Sequence, residues 1–115
     1  MVDIRQLVSE HKELVINTRR DLHQIPETAY TEKKTSAYVT EYLNREGLQV
    51  QSGIATYGVV GLLNTGRPGA TLLIRADMDA LPLTEETGLP FASTHAGVMH
   101  ACGHDGHTAM LLGAA

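Results

Sequence analysis

The sequence predicts an α/β fold on three observations. Apolar residues recur at helical spacing in two stretches of the first 46 residues. Short apolar runs punctuated by turn residues follow, and one of them, Leu72-Leu73-Ile74, has the solid apolar character of a strand buried on both faces. A loop dense in histidine then leads into the start of a helix that is apolar all round and so demands burial.

The first helix is expected over residues 3–25. Ile4, Leu7, Val8, His11, Leu14, Val15, Thr18, Leu22 and Ile25 recur at steps of three and four and define its inner face. Asp3 caps its start, Pro26 ends it, and Arg19 and Arg20 suit the negative pole of its dipole. His23, in the last turn, reads as structural. The second helix is expected from Glu32 to Glu46, with Thr31 as N-cap and Gly47 as stop. Its buried stripe is Tyr38, Val39, Tyr42 and Leu43.

Three strands are then expected: Leu48 to Gln51, with one solvated face, Gly58 to Leu63, and Thr71 to Ala76 as an inner strand. The turn Thr65-Gly66-Arg67-Pro68-Gly69 is short enough to join the last two as a hairpin. Asp77 and Asp79 fall at the C-terminal end of the inner strand. From Ala80 to Met99 the chain reads as loop, and so long an irregular stretch tends to be functional. Within it Thr84-Glu85-Glu86-Thr87 reads as a solvated turn, and His95 receives no role. The last helix is expected from Thr108. It meets the end of the sequence with nothing left to cover it, which suggests the front part of a longer protein.

At 115 residues, 43% hydrophobic and 19% charged, the composition is that of one small globular domain. A net charge of −4 gives no basic face for nucleic acid. No apolar run has the length of a membrane span, and the N-terminus lacks the pattern of a signal peptide. A single cysteine forms no internal disulfide and suits a reducing compartment, so a cytoplasmic location is expected.

The chemistry concentrates in His100-Ala101-Cys102-Gly103-His104-Asp105-Gly106-His107, which holds three of the six histidines and the only cysteine. An imidazole and a thiolate on a bent loop can reach one cation together, and such donors suit zinc or a similar borderline metal. Ligand sites of α/β sheets gather at the carboxyl ends of strands, which would bring Asp77 and Asp79 to Cys102 and His104. Asp105 and His107 are close enough to serve as partners fixing an imidazole. On pattern alone, Cys-x-His is also open to a structural cysteine beside backbone-bonded histidines. A third reading, Cys102 as nucleophile with His104 or His107 as base, suffers from the tight i, i+2 spacing. Two donors do not hold a catalytic metal, so further ligands would lie beyond Ala115.

Four blocks, in order, carry a resemblance that covers most of the chain: Arg19 to Glu27, Ile74 to Pro82, Glu86 to Phe91, and Met99 to Ala109. Together they resemble the N-terminal part of the metal-dependent amidohydrolases of N-acyl amino acids, a branch of the aminoacylase and carboxypeptidase superfamily. The resemblance implies that residues 1–115 are the front part of an α/β catalytic domain with a mixed sheet. It also implies an inserted dimerisation and lid domain absent from this sequence, a homodimer, and two divalent metal ions (Zn, Mn, Co or Ni). Cys102 and His104 match metal ligands, and Asp79 matches the catalytic-site aspartate that orients a ligand. Asp77 stands where the wider superfamily has a metal-binding histidine. The implied reaction is metal-assisted hydrolysis of a small-molecule N-acyl amino acid, with the general base and remaining ligands outside this chain. Neither nucleic acid nor membrane is an expected partner. A non-catalytic binding or regulatory module that retains the fold is the alternative, motivated by the missing base.

Overall fold

The computed structural model describes residues 1–115. Helix α1 spans Ile4–His23 and begins where the sequence places it: the Asp3 carboxylate accepts from the backbone N–H of Arg5 at 2.9 Å and of Gln6 at 3.3 Å. Only the C-terminal part of its apolar stripe is buried, at Thr18 and Leu22, while Ile4, Leu7, Val8 and Leu14 remain exposed. The stripe has the right period, but only its last two turns find a partner.

Helix α2, Lys33–Arg45, has a different cap from the one expected. Thr31 spends its hydroxyl on the Thr28 carbonyl at 2.8 Å. Glu27 reaches over instead, accepting from the N–H of Lys34 at 3.0 Å and of Thr35 at 2.7 Å and from the Thr35 hydroxyl at 2.8 Å. A carboxylate at the positive pole of a helix serves as cap and as charge complement at once. The other end is as predicted. Gly47 takes φ +83°, its N–H bonds Asn44 O at 3.0 Å, and Leu48 N–H bonds Leu43 O at 3.1 Å. That Schellman pair turns the chain so that Leu48 packs back on the helix.

Strands β1, Gln49–Ile54, and β2, Gly58–Leu62, form an antiparallel pair. Their hairpin turns at Ala55-Thr56-Tyr57, and the hairpin expected at Thr65–Gly69 does not form because Thr71–Ala76 pairs with no strand. Ala55 and Thr56 both have positive φ, which alanine and threonine rarely signal in a sequence. The register slips by one residue between Gln51 and Ile54, with Gly53 at φ +75° in the bulge. Gly58 is required by space, since a Cβ there would lie 2.5 Å from Ile54 O.

The fold is α/β, with two N-terminal helices and a sheet followed by a final helix, as expected, but the sheet is this pair alone. Thr71–Ala76 pairs with no strand, and Leu72 and Leu73 are 82% and 84% exposed. An inner strand needs a neighbour on each edge and a layer on each face, and this chain offers that run neither. Two isolated bridges steer the chain beyond it: Thr28 with Ala80, parallel, and Leu81 with Met99, antiparallel.

Helix α3 spans His104–Ala114 and so starts four residues earlier than the apolar pattern suggested. Gly103, at φ +94°, makes the entry turn. α3 lies against α1 so closely that a Cβ on Gly113 would come within 2.5 Å of Val15 Cγ2. The apolar core is small, with Val39, Tyr42 and Leu43 of α2 meeting Leu112 of α3, flanked by Leu48, Val50, Val59 and Met78. Seven of the fifteen buried residues are polar or charged, which places a second, polar interior beside the apolar one.

Candidate metal centre

Three backbone anchors assemble the site. Ala80 N–H donates to Glu27 O at 2.7 Å, which fixes the segment holding Asp79 beside the end of α1. Leu81 and Met99 exchange N–H···O bonds of 2.9 and 3.0 Å, which returns the irregular loop to the same place and delivers His100. The Thr108 hydroxyl donates to Asp77 O at 3.0 Å and draws α3 onto the aspartate segment. The first turn of α3 therefore faces the Asp77–Asp79 stretch.

There His104 Nδ1–H donates to two acceptors of one residue, Asp79 Oδ1 and Asp79 O, each at 3.0 Å. The arrangement fixes the tautomer. Nδ1 carries a hydrogen, and Nε2 makes no hydrogen bond and is the nitrogen open to a ligand. Cys102, two residues earlier, is exposed. His107 lies on the next turn with its ring 6.0 Å from that of His104, and is also exposed.

The remaining sequence candidates are not gathered here. Asp77 gives its carboxylate to Arg75 at 2.6 Å, near solvent. Asp105 points to α1, accepting from Arg19 Nε at 2.9 Å and from His23 Nδ1 at 2.7 Å, while its other oxygen takes the Gly106 N–H. No group of three or more His, Cys, Asp and Glu side chains is placed to hold a metal ion. Cys102 and His104 nevertheless have the chemistry of a half-site: an accessible sulfur and an imidazole nitrogen whose partner nitrogen is already held by a carboxylate.

Two features of the site escaped the sequence reading. Glu85, expected in a solvated turn, is the buried end of a network: its side chain is 3% exposed and Oε1 meets His23 Nε2 at 2.9 Å and Ser93 N–H at 2.9 Å. Burial pushes the Glu85 carboxyl up, but hydrogen bonds from Thr87, Ser93 and His23 outweigh it and hold the group below its ordinary value. Glu86 beside it is exposed, so the turn is half solvated and half structural. The second feature is His100, 4% exposed, with no hydrogen bond at either ring nitrogen. Burial lowers its pKa; Asp105 and Asp79 oppose that shift, and the nearby His23 and His104 reinforce it. The available signal was indirect: Glu85 adjoins one of the four blocks of resemblance, and His23 and His100 lie inside two others. His95, left without a role, is a tie between loop and helices, with Nδ1 3.1 Å from Pro26 O and Nε2 3.3 Å from Lys34 Nζ.

Comparison with known proteins gives this arrangement a class. Residues 73–115 match the family model of peptidase family M20/M25/M40, and the chain belongs to that family. Along its length it is similar to an N-acetyldiaminopimelate deacetylase of Listeria innocua, at 52% identity over 101 residues, covering 85% of this chain and 27% of the relative. An N-acyl-L-amino acid amidohydrolase of Geobacillus stearothermophilus is 50% identical over 113 residues, covering 98% of this chain and 30% of the relative. Among solved structures, a Bacillus subtilis protein described as a dinuclear metal binding peptidase from the M20 family superposes with a TM-score of 0.84 at 40% identity. That match covers 90% of this chain and 30% of that one. The chain thus spans under a third of the length of the proteins it matches. No helix is long and apolar enough to cross a membrane.

Proposed function

We propose that this chain supplies part of the metal site of a hydrolase that cleaves the amide bond of N-acyl amino acids. The observation that carries the reading is the bifurcated hydrogen bond from His104 Nδ1–H to Asp79 Oδ1 and O, which leaves Nε2 without a hydrogen bond on a residue two positions from the exposed Cys102. Imidazoles that bind metals are commonly held in this way from behind. Support for the reaction class comes from the relatives, whose names are those of a deacetylase and an amidohydrolase. Support for two ions comes from the dinuclear Bacillus subtilis peptidase.

In this reading Cys102 and His104 are ligands and Asp79 is the residue that orients His104. When bound, divalent ions supply Lewis acidity to the amide carbonyl and to the attacking water. The chain's own part is positional and protonic. Asp79 keeps the His104 proton on Nδ1, and Cys102 must give up its thiol proton to bind, so affinity falls as pH drops. His107, exposed one turn away, is assigned a supporting position, and Asp77 supports the site through its backbone carbonyl, which takes the Thr108 hydroxyl, while its carboxylate is tied to Arg75. Zn, Mn, Co and Ni all remain compatible with one sulfur and one nitrogen donor.

The same reading makes residues 1–115 the front part of the catalytic domain. The general base, the remaining ligands and an inserted dimerisation and lid domain belong to the full-length protein, a homodimer. It acts on small molecules and uses neither nucleic acid nor membrane. A cytoplasmic location goes with it, since an exposed thiolate ligand must stay reduced.

Metal analysis of the full-length protein tests the proposal. About two ions per chain, with fewer after Cys102→Ala, is the expected result for a dinuclear site. A full-length protein that purifies without metal and gains none on titration would favour a binding module that retains the fold. The 115-residue chain by itself should not hydrolyse N-acyl amino acids, and metal-dependent turnover by it would contradict the division of ligands proposed here.

A further inference from the structure

The polar interior beside the metal half-site is built around one imidazole. His23 is 2% exposed, and its two ring nitrogens meet two carboxylates, Asp105 Oδ2 at 2.7 Å and Glu85 Oε1 at 2.9 Å. An ionised carboxylate only accepts, so with both carboxylates ionised each nitrogen brings a hydrogen and the pair of contacts is that of an imidazolium. Arg19 Nε adds a second positive charge on Asp105 Oδ2 at 2.9 Å. Its Nη2 also lies 3.4 Å from His23 Nδ1, but that nitrogen's hydrogen is committed to the closer Asp105. Two cations and two anions cancel, which is the condition for burying such a group without an uncompensated charge.

The four residues come from three parts of the chain: Arg19 and His23 from α1, Glu85 from the irregular loop, and Asp105 from the first turn of α3. Asp105 is the residue next to His104. Glu85 also takes the Ser93 N–H, so the same carboxylate gathers the loop that runs from Ala80, beside Asp79, to Met99, beside His100. Pinning Asp105 sets where the first turn of α3 lies, and with it whether His104 meets Asp79.

We propose that His23 and Glu85 are positioning residues of the metal site, an imidazolium–carboxylate clasp that holds Asp105 and through it the His104 ligand. The proposal rests on the reading of Cys102 and His104 as ligands. Neither His23 nor Glu85 touches metal or substrate. Ligand geometry tolerates errors of only about half an ångström, so a clasp one residue from a ligand governs affinity.

The test is a cobalt titration of the full-length apoprotein, read by the thiolate-to-cobalt absorption of Cys102. Removing partners behind a ligand weakens metal binding by about 10–100-fold, and Glu85→Ala should fall in that range while its far-ultraviolet circular dichroism stays that of the parent. Glu85→Gln, which keeps an acceptor for His23 Nε2–H, should recover most of the loss. A folded Glu85→Ala protein with parental cobalt affinity overturns the clasp and leaves the ligand reading intact. A parent protein with no thiolate–cobalt band overturns the ligand reading, and the inference with it. Should Glu85→Ala not fold, nitrogen-15 resonances of His23 in the parent decide: two protonated ring nitrogens support the clasp, and one bare nitrogen overturns it.

Discussion

Two faces of this molecule have opposite characters. Where the end of α1 meets the start of α3, charged and polar side chains are buried and matched, His23 with Asp105 and Glu85, and the half-exposed Arg19 closes the cluster on Asp105. Along residues 72–74 the most apolar run of the sequence lies open to solvent. Hydrophobicity alone would have predicted the reverse. A charged group can be buried once its local partners are present, and all four members of the clasp lie within residues 19–105. An apolar run has no such discrete partner. It is buried only when whole layers cover it, and this chain lays none over Leu72 and Leu73.

The largest expected effect comes from breaking the matched side. Asp105→Ala leaves the buried His23 with a single carboxylate and the half-exposed Arg19 with none, and removing one partner of a buried pair costs about 3–5 kcal/mol. Urea unfolding of the variant against the parent measures it, and a loss near zero would mean the clasp is not formed. On the apolar side the contrast lies within one residue type. Leu112→Ala, in the core beside Val39 and Leu43, should cost about 2–5 kcal/mol. Leu73→Ala, on the open run, should change stability by less than about 0.5 kcal/mol. Similar losses at both leucines would show that the run is covered after all.

The same contrast explains what was legible in the sequence. Local signals gave the Asp3 cap, the Gly47 stop and both long helices, because each is set by residues within a turn or two. Features needing a distant partner were missed. Glu27 caps α2 from outside the helix, and Glu85 finds His23 62 residues away. The β1–β2 turn carried no signal because Ala55 and Thr56 adopt a conformation their side chains disfavour, and the hairpin expected at Thr65–Gly69 lacks its second strand. Of the site, the juxtaposition of Asp79 with His104 was expected from a strand end meeting a histidine loop. Asp105 was expected beside that ligand, but its carboxylate turns away to α1.

Acid should probe the matched side more gently than mutation. Glu85 is held below its ordinary value, so the folded state favours its ionised form. Its contribution is therefore complete above the unfolded-state value and is lost as pH falls through the folded one. Stability of the parent should drop on that acid limb, and Glu85→Gln should flatten part of the drop. Parallel curves for the two proteins, measured as urea midpoints from neutral pH downward, would remove Glu85 from the acid response.

A small effect is expected at Tyr38. This half-buried tyrosine packs against the apolar core while its hydroxyl donates to Asp21 Oδ2 at 3.0 Å. Burial first, then the hydrogen bond and the negative charge of Asp21, push its pKa up to about 12. A raised value means the folded state favours the neutral phenol. That contribution is whole below the ordinary value of 10.0 and is lost as pH rises towards 12. Because the ring keeps access to water, screening should hold the change below about 1 kcal/mol. Tyr38→Phe removes both the hydrogen bond and the titration, so its stability should decline less steeply than the parent's over that alkaline range. An identical decline would place the alkaline sensitivity elsewhere, and would mean that Asp21 and Tyr38 are neighbours without being coupled.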